Sequence, residues 1–266
     1  MIVSASRRTD LPAFYSEWLM ERLRAGFVDV RNPRNPAQTR RVSLLAEDVD
    51  CFVFWTKDPA PMLPLLPELD RMGHRYYFQF TLTPYGKTLE PGLRDKAALL
   101  ETFRELAAHV GRERVVWRYD PIVLNGVYDL AFHRERFAAY AARLAGCTEQ
   151  ATISFVDRYA KLARAYQRGL LREILPEEQA ELCGSFAATA AREGLRLAAC
   201  CEAGLEPYGV AQAHCIDREL AERLCGGPVS AAPDKNQRPG CGCAASVDIG
   251  SYGKCGHGCI YCYANR

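Results

Sequence analysis

The twelve residues Cys255-Gly256-His257-Gly258-Cys259-Ile260-Tyr261-Cys262-Tyr263-Ala264-Asn265-Arg266 space three cysteines as Cys-x3-Cys-x2-Cys. Thiolate is a soft ligand that favours iron–sulfur and zinc centres, and three thiolates this close can each bind one iron of a cubane cluster. Gly253, Gly256 and Gly258 let the backbone wrap tightly around such a group. A fully ligated electron-transfer cluster wants a fourth protein ligand; three leave one iron open to a substrate or cosubstrate. A structural zinc knot is the plain alternative, because Cys241-x-Cys243 added to the three later cysteines supplies four ligands and one spare.

The chain carries twelve cysteines in 266 residues, five of them from Cys241 onward. In a reducing compartment, clustered thiols hold metal more often than disulfides. Cys200, or its neighbour Cys201, together with Cys215, Cys241 and Cys243 makes a candidate ligand set for a second, fully ligated cluster. The bland reading of Cys200 and Cys201 is core packing, as for Cys51, Cys147, Cys183 and Cys225. His257 lies inside the cysteine loop, where solvent exposure is expected. Arg118 interrupts an aromatic-rich run and is followed by Asp120-Pro121. The two charged residues are candidates for a buried ion pair or for contact with substrate.

These residues need a scaffold, and the hydrophobic pattern supplies one. Ile2–Ser6, Cys51–Trp55, Tyr76–Thr81, Val115–Tyr119, Thr152–Val156, Leu195–Cys200 and Ser246–Gly250 read as strands, most of them without alternation and so buried on both faces. Helical spacing fills the intervals: Phe14, Trp18, Leu19 and Leu23 after Pro12; residues 59–72 up to Gly73; Leu99, Phe103, Leu106 and Val110; then helices near 133–145, 157–170 and 176–193. Strand–helix alternation argues for parallel βαβ units. Residues 27–45 instead alternate around Asn32-Pro33-Arg34-Asn35-Pro36 and read as an inserted β-hairpin. Residues 226–245, rich in Gly, Pro and Cys, read as a loop. The expected fold is α/β, a partial TIM-like parallel barrel of six or seven βα units in a single domain spanning 1–266, its last strand and cysteine loop occupying 246–266.

Composition narrows the classes. With 48% hydrophobic and 25% charged residues the chain suits a globular protein, and its length suffices for a sizeable core. A net charge of +2 argues against a nucleic-acid binder, a local basic patch aside. No apolar run approaches the ~18 residues of a membrane span, and the first residues lack the basic-then-apolar order of a signal peptide. The expected location is the cytoplasm.

The Cys-x3-Cys-x-aromatic-Cys loop resembles that of the radical SAM enzymes. The resemblance implies that Cys255, Cys259 and Cys262 hold a 4Fe–4S cluster, that its open iron chelates the amino and carboxylate groups of S-adenosylmethionine, and that Tyr261 lies against the adenine. On that reading the ring matters and the hydroxyl does not, so Tyr261→Phe is expected to be tolerated. Radical SAM enzymes carry this loop after their first barrel strand, whereas here it follows Val247-Asp248-Ile249-Gly250 late in the sequence. A circularly permuted barrel reconciles the two, with 246–250 the first strand in space and Ile2–Ser6 the next. No Gly-Gly-Glu-like run follows Ile2–Ser6, which leaves the methionine amino contact unassigned. Across its length the chain resembles the domain-of-unknown-function family 1848, through Ser4–Asp10, Phe54–Pro59, His214-Cys215-Ile216-Asp217 and the cysteine loop.

The resemblance thus implies an enzyme that reductively cleaves S-adenosylmethionine to a 5′-deoxyadenosyl radical for hydrogen abstraction. It also implies an electron donor such as a flavodoxin or ferredoxin as partner, and a substrate that the sequence does not identify. The competing expectation is a non-catalytic iron–sulfur or zinc protein acting in electron transfer or partner binding.

Overall fold

A computed structural model describes residues 1–35, 37–238 and 240–265. In chain order its elements are β1 (Ile2–Ala5), α1 (Leu11–Phe14), α2 (Ser16–Ala25), β2 (Phe27–Arg31), β3 (Thr39–Ser43), β4 (Cys51–Thr56), α3 (Leu66–Arg71), β5 (Tyr76–Thr81), α4 (Lys96–Val110), β6 (Val115–Ile122), α5 (Leu130–Leu144), β7 (Gln150–Phe155), α6 (Ala163–Gln167), α7 (Pro176–Arg192), β8 (Arg196–Ala199), β9 (Ala211–Gln212), α8 (Arg218–Cys225) and β10 (Ser246–Asp248). Eight strands form one mostly parallel sheet in the order β10-β1-β4-β5-β6-β7-β8-β9. Among the described residues the sheet does not close into a barrel. Its last ladder is only two residue pairs long, Ala198 with Ala211 and Ala199 with Gln212. The mostly parallel sheet expected from the alternation is present, but the TIM-like barrel arrangement expected of it is not seen among the described residues. What stands is an α/β fold with β10 beside β1, the neighbour relation expected for a permuted order. No helix among the described residues is long and apolar enough to cross a membrane.

Chain contacts group the molecule into two compact units. The first comprises Met1–Phe80, His214–Gly256 and Ala264–Arg266. Here β1 pairs in parallel with both β10 and β4, with Val3 opposite Val247 on one side and Phe52 on the other. Phe52 and Phe54 of β4 are buried, and Phe54 packs on Tyr76 and Phe78 of β5 at ring separations of 5.7 and 5.0 Å. Each large side chain so buried contributes roughly 1.5–3 kcal/mol. The stretch read as one helix over Pro12–Leu23 breaks at Tyr15 into α1 and α2. Leu19 and Leu23 are buried but Phe14 and Trp18 are not, so the apolar spacing mixes a core face with an exposed one. The expected hairpin forms as β2 and β3, in antiparallel register from Phe27–Ser43 to Arg31–Thr39. Of its turn, Pro36 lies outside the described residues. Residues 226–238 and 240–245 hold no helix or strand, and an isolated bridge joins Pro233 to Ala244.

The second unit comprises Thr81–Ala213 and His257–Tyr263. β6, β7, β8 and β9 are parallel neighbours. Three rings join strand to helices: Trp117 of β6 stacks on Phe137 of α5 at 4.9 Å, and Phe137 on Phe186 of α7 at 4.0 Å. Asp95 and Asp129 cap α4 and α5, accepting from the Ala97 and Phe132 amides at 2.8 Å each. The helix expected near 157–170 is reduced to a 3-10 turn and the five residues of α6. Neither β9 nor α8 was expected. The two residues of β9 are too few for a pattern, and α8 is signalled only by its cap, where Asp217 accepts from the Leu220 amide at 3.0 Å.

His133 on α5 is fully buried, with Nδ1 2.8 Å from the Tyr119 hydroxyl and Nε2 2.8 Å from the Val123 carbonyl. Burial lowers its pKa to about 4. The folded protein therefore binds this proton more weakly than the unfolded chain, so the neutral ring's contribution is complete above pH 6.5 and is lost as pH falls toward 4. Thermal melts should show stability falling across that window by an amount on the order of 3 kcal/mol. A His133→Gln variant should lose that slope.

A second prediction follows from the edge pairing. Deleting residues 246–266 removes β10, exposes the β1 edge and strips the partners of Ser4, Ser6 and Arg7. The truncated protein should be insoluble or melt well below the full chain. An equally stable truncation would make the segment an appendage.

Candidate metal centre

The cysteine loop begins where β10 ends, and a buried carboxylate ties that point to the N-terminal segment. Asp248 accepts from the Ser4 hydroxyl at 2.9 Å, the Ser6 hydroxyl at 2.7 Å, the Arg7 amide at 2.9 Å and the Gly250 amide at 3.0 Å. Arg8 Nε stands 3.8 Å away. A side chain at Gly250 would collide with Ser6, so this close approach requires glycine. Beyond it the Thr9 hydroxyl donates to the Ser251 carbonyl, and the Tyr15 hydroxyl to that of Lys254 at 3.0 Å. At Gly256 a Cβ would stand 2.8 Å from the Phe14 ring. Cys255, half-buried, sits in this strapped segment.

Residues 257–263 are held separately, in the second unit. The Gly92 amide donates to the His257 carbonyl and the Ile260 amide to that of Leu89, both at 2.9 Å. His257 is buried, which corrects the expected solvent exposure. Cys259 and Tyr261 belong to a buried cluster with Tyr85, Leu89, Val123 and Tyr128, and Cys262 packs against it. The Tyr261 ring meets Tyr85 edge-on at 5.8 Å, and its hydroxyl donates to Glu90. Glu90, itself buried, also accepts from the Thr83 hydroxyl at 2.7 Å and pairs with Lys96. Burial, then the neighbouring Glu90 charge, pushes the Tyr261 hydroxyl well above its ordinary pKa, so it stays a donor. The hydroxyl thus has a partner that the motif did not disclose.

Arg118 and Asp120 form the ion pair that was one of their two expected roles. Arg118 is buried, its Nε 2.9 Å from Asp120 Oδ2, and the Ser154 hydroxyl donates to the other carboxylate oxygen. Tyr85 connects this strand end to the cysteine loop. Its hydroxyl donates to the Pro121 carbonyl and accepts from the Val123 amide, both at 2.8 Å, while its ring contacts Tyr261.

Of the four cysteines expected to form a second centre, the fold gathers three. The sulfurs of Cys200, Cys215 and Cys243 all lie within 4.8 Å of one another, and all three residues are buried. Cys241 is half-buried and not among that group, while Cys201, at φ +58°, keeps its sulfur 4.0 Å from that of Cys200. A buried cysteine group able to bind metal is therefore present.

Sequence reasoning missed Asp248 and Glu90. Asp248 carried a usable signal, a charge closing an apolar strand directly before a glycine-rich loop; Glu90 carried none. Removing the Tyr261 hydroxyl leaves the buried Glu90 with one donor fewer, at a cost of about 1–3 kcal/mol. Tyr261→Phe should therefore lower the unfolding free energy by about that amount, read from denaturant melts. An unchanged unfolding free energy would show that the hydroxyl's contact with Glu90 adds no net stability.

No curated protein matches the chain. The family model described as "Domain of unknown function (DUF1848)" matches residues 2–264, nearly the whole length, so the chain belongs to that family.

Proposed function

We propose that this protein is a radical SAM-like iron–sulfur enzyme on a permuted parallel α/β sheet. The observation that carries the reading is the parallel pairing of β10 with β1, followed directly by the loop bearing Cys-x3-Cys-x2-Cys. In open α/β sheets, ligands gather outside the carboxyl ends of the strands.

The donor set suits the cofactor. Three thiols at Cys-x3-Cys-x2-Cys spacing, with Gly253 and Gly258 at positive φ, have the chemistry that a cubane takes. Cys255, Cys259 and Cys262 would hold it. When bound, the cluster supplies the electron that splits S-adenosylmethionine into methionine and a 5′-deoxyadenosyl radical. The chain's own work is positioning. Asp248 and its donors from Ser4, Ser6 and Arg7 set where the loop starts, and Glu90 with Thr83, Lys96 and Tyr261 sets where it ends. Arg118 and Asp120, joined to Tyr261 through Tyr85, are the candidates for substrate contact.

A second reading, a non-catalytic iron–sulfur or zinc protein, is favoured by the sulfurs of Cys200, Cys215 and Cys243, which protein alone brings together. An assay separates the two. Protein reconstituted anaerobically with iron and sulfide and then reduced should convert S-adenosylmethionine to 5′-deoxyadenosine and methionine, slowly without substrate. Alanine at any one of Cys255, Cys259 or Cys262 should abolish the conversion. A reduced, intact cluster whose spectrum ignores added S-adenosylmethionine and which yields no nucleoside would favour the non-catalytic reading.

A further inference from the structure

The hairpin of β2 and β3 has no part in the proposed reaction, and it concentrates charge. Residues 27–45 carry Arg31, Arg34, Arg40 and Arg41 against Asp29 alone, a net +3, whereas the whole chain carries +2. Everything outside the hairpin therefore sums to −1. The ribbon is a two-stranded sheet separate from the eight-stranded one. Buried Val28, Val42 and Leu44 anchor its base. From Arg31 to Arg41 every described residue is exposed. The Asn32 amide donates to the Gln38 carbonyl at 2.9 Å and Asn32 Nδ2 to Gln38 Oε1 at 3.0 Å, which ties the two strands beyond their last ladder pair.

The arginines divide into two kinds. Arg41 is engaged within the ribbon: it donates to both Asp29 oxygens at 2.9 Å and lies over the Phe27 ring at 3.9 Å. Arg31, Arg34 and Arg40 pair with no carboxylate among the described residues. The register sets Val30 opposite Arg40 and Arg31 opposite Thr39, so Arg40 and Arg31 lie on opposite faces of the ribbon. Arg34 lies in the connection between the strands. Like charges gathered without carboxylates repel one another, and an anion relieves that repulsion.

We propose that the β2–β3 hairpin docks on the phosphate backbone of duplex DNA, independently of base sequence. All four cations are arginine, whose planar fork matches phosphate oxygens. The major groove of B-form DNA admits a two-stranded ribbon, and arginines on both faces of that ribbon then meet phosphates on both walls. The narrow major groove of duplex RNA does not admit it. Between Arg31 and Arg41 there is no aromatic or large aliphatic side chain, which a protein hot spot, a membrane surface or the stacked bases of a single strand would call for. The inference stands apart from the cluster reading.

The test is fluorescence anisotropy of short labelled DNA duplexes titrated with the full chain. Duplexes of different sequence should bind alike. With three phosphate contacts, log affinity should fall against log salt with a slope of about −2.7, roughly fortyfold between ~50 and ~200 mM. Arg31→Gln, Arg34→Gln and Arg40→Gln together should weaken binding at the lower salt by at least about tenfold and flatten the slope, with the thermal midpoint unchanged. Arg104→Gln, Arg143→Gln and Arg168→Gln together remove the same charge from exposed positions elsewhere and should leave binding nearly unchanged. An equal loss in that control, a hairpin variant that binds like the wild type, or a full chain that ignores duplex DNA at the lower salt overturns the proposal. Tighter binding to single-stranded DNA, duplex RNA, polyglutamate or phosphatidylserine vesicles overturns the choice of partner.

Discussion

The carboxylate of Asp248 holds together two stretches that lie at opposite ends of the sequence. Its oxygens collect two hydroxyls from β1 and the turn after it, and two backbone amides, all at 2.7–3.0 Å. Hydrogen bonds to a charged group are worth roughly 1.5–3 kcal/mol each, and the low dielectric of a buried site strengthens them further. They offset the entropy of closing the longest loop in the chain. Once β10 is docked on β1, the start of the cysteine loop has only one place to go.

The far end of that loop is governed by a second buried carboxylate. Glu90 draws on Thr83, Lys96 and Tyr261, and the Tyr261 ring continues into the aromatic cluster around Tyr85. The loop between has glycines where side chains would strike Ser6 or Phe14. Both carboxylates are satisfied by the chain's own groups, Asp248 within the first unit and Glu90 within the second.

The two cysteine groups answer different demands. The loop cysteines are close in sequence and reach their positions through local turns. Cys200, Cys215 and Cys243 are far apart in sequence, at the end of a strand, the approach to a helix and the exit of an irregular loop. Within the first unit, the hydrogen bonds of Cys215 and Cys243 fix a stretch that has little regular structure of its own.

Much of this was legible in the amino-acid order. Strands β1 and β4 to β8, the hairpin, helices α4, α5 and α7 and the Cys-x3-Cys-x2-Cys spacing all follow from local periodicity and residue type, which short-range sterics and burial decide. The neighbour relation of β10 and β1 was legible too, once the motif had been matched to its usual strand. The rest belonged to tertiary structure. Whether a sheet closes depends on pairing between its two edge strands, here β10 and β9, which no local pattern records. The burial of His257, the partner of the Tyr261 hydroxyl and the roles of Asp248 and Glu90 depend on groups far away in sequence. A polar residue's environment is set by what the fold places against it, and no spacing along the chain records that. The same holds for the second thiol group. Composition announced surplus cysteines, but only the packed sheet selected Cys200, Cys215 and Cys243 and set the distance between their sulfurs.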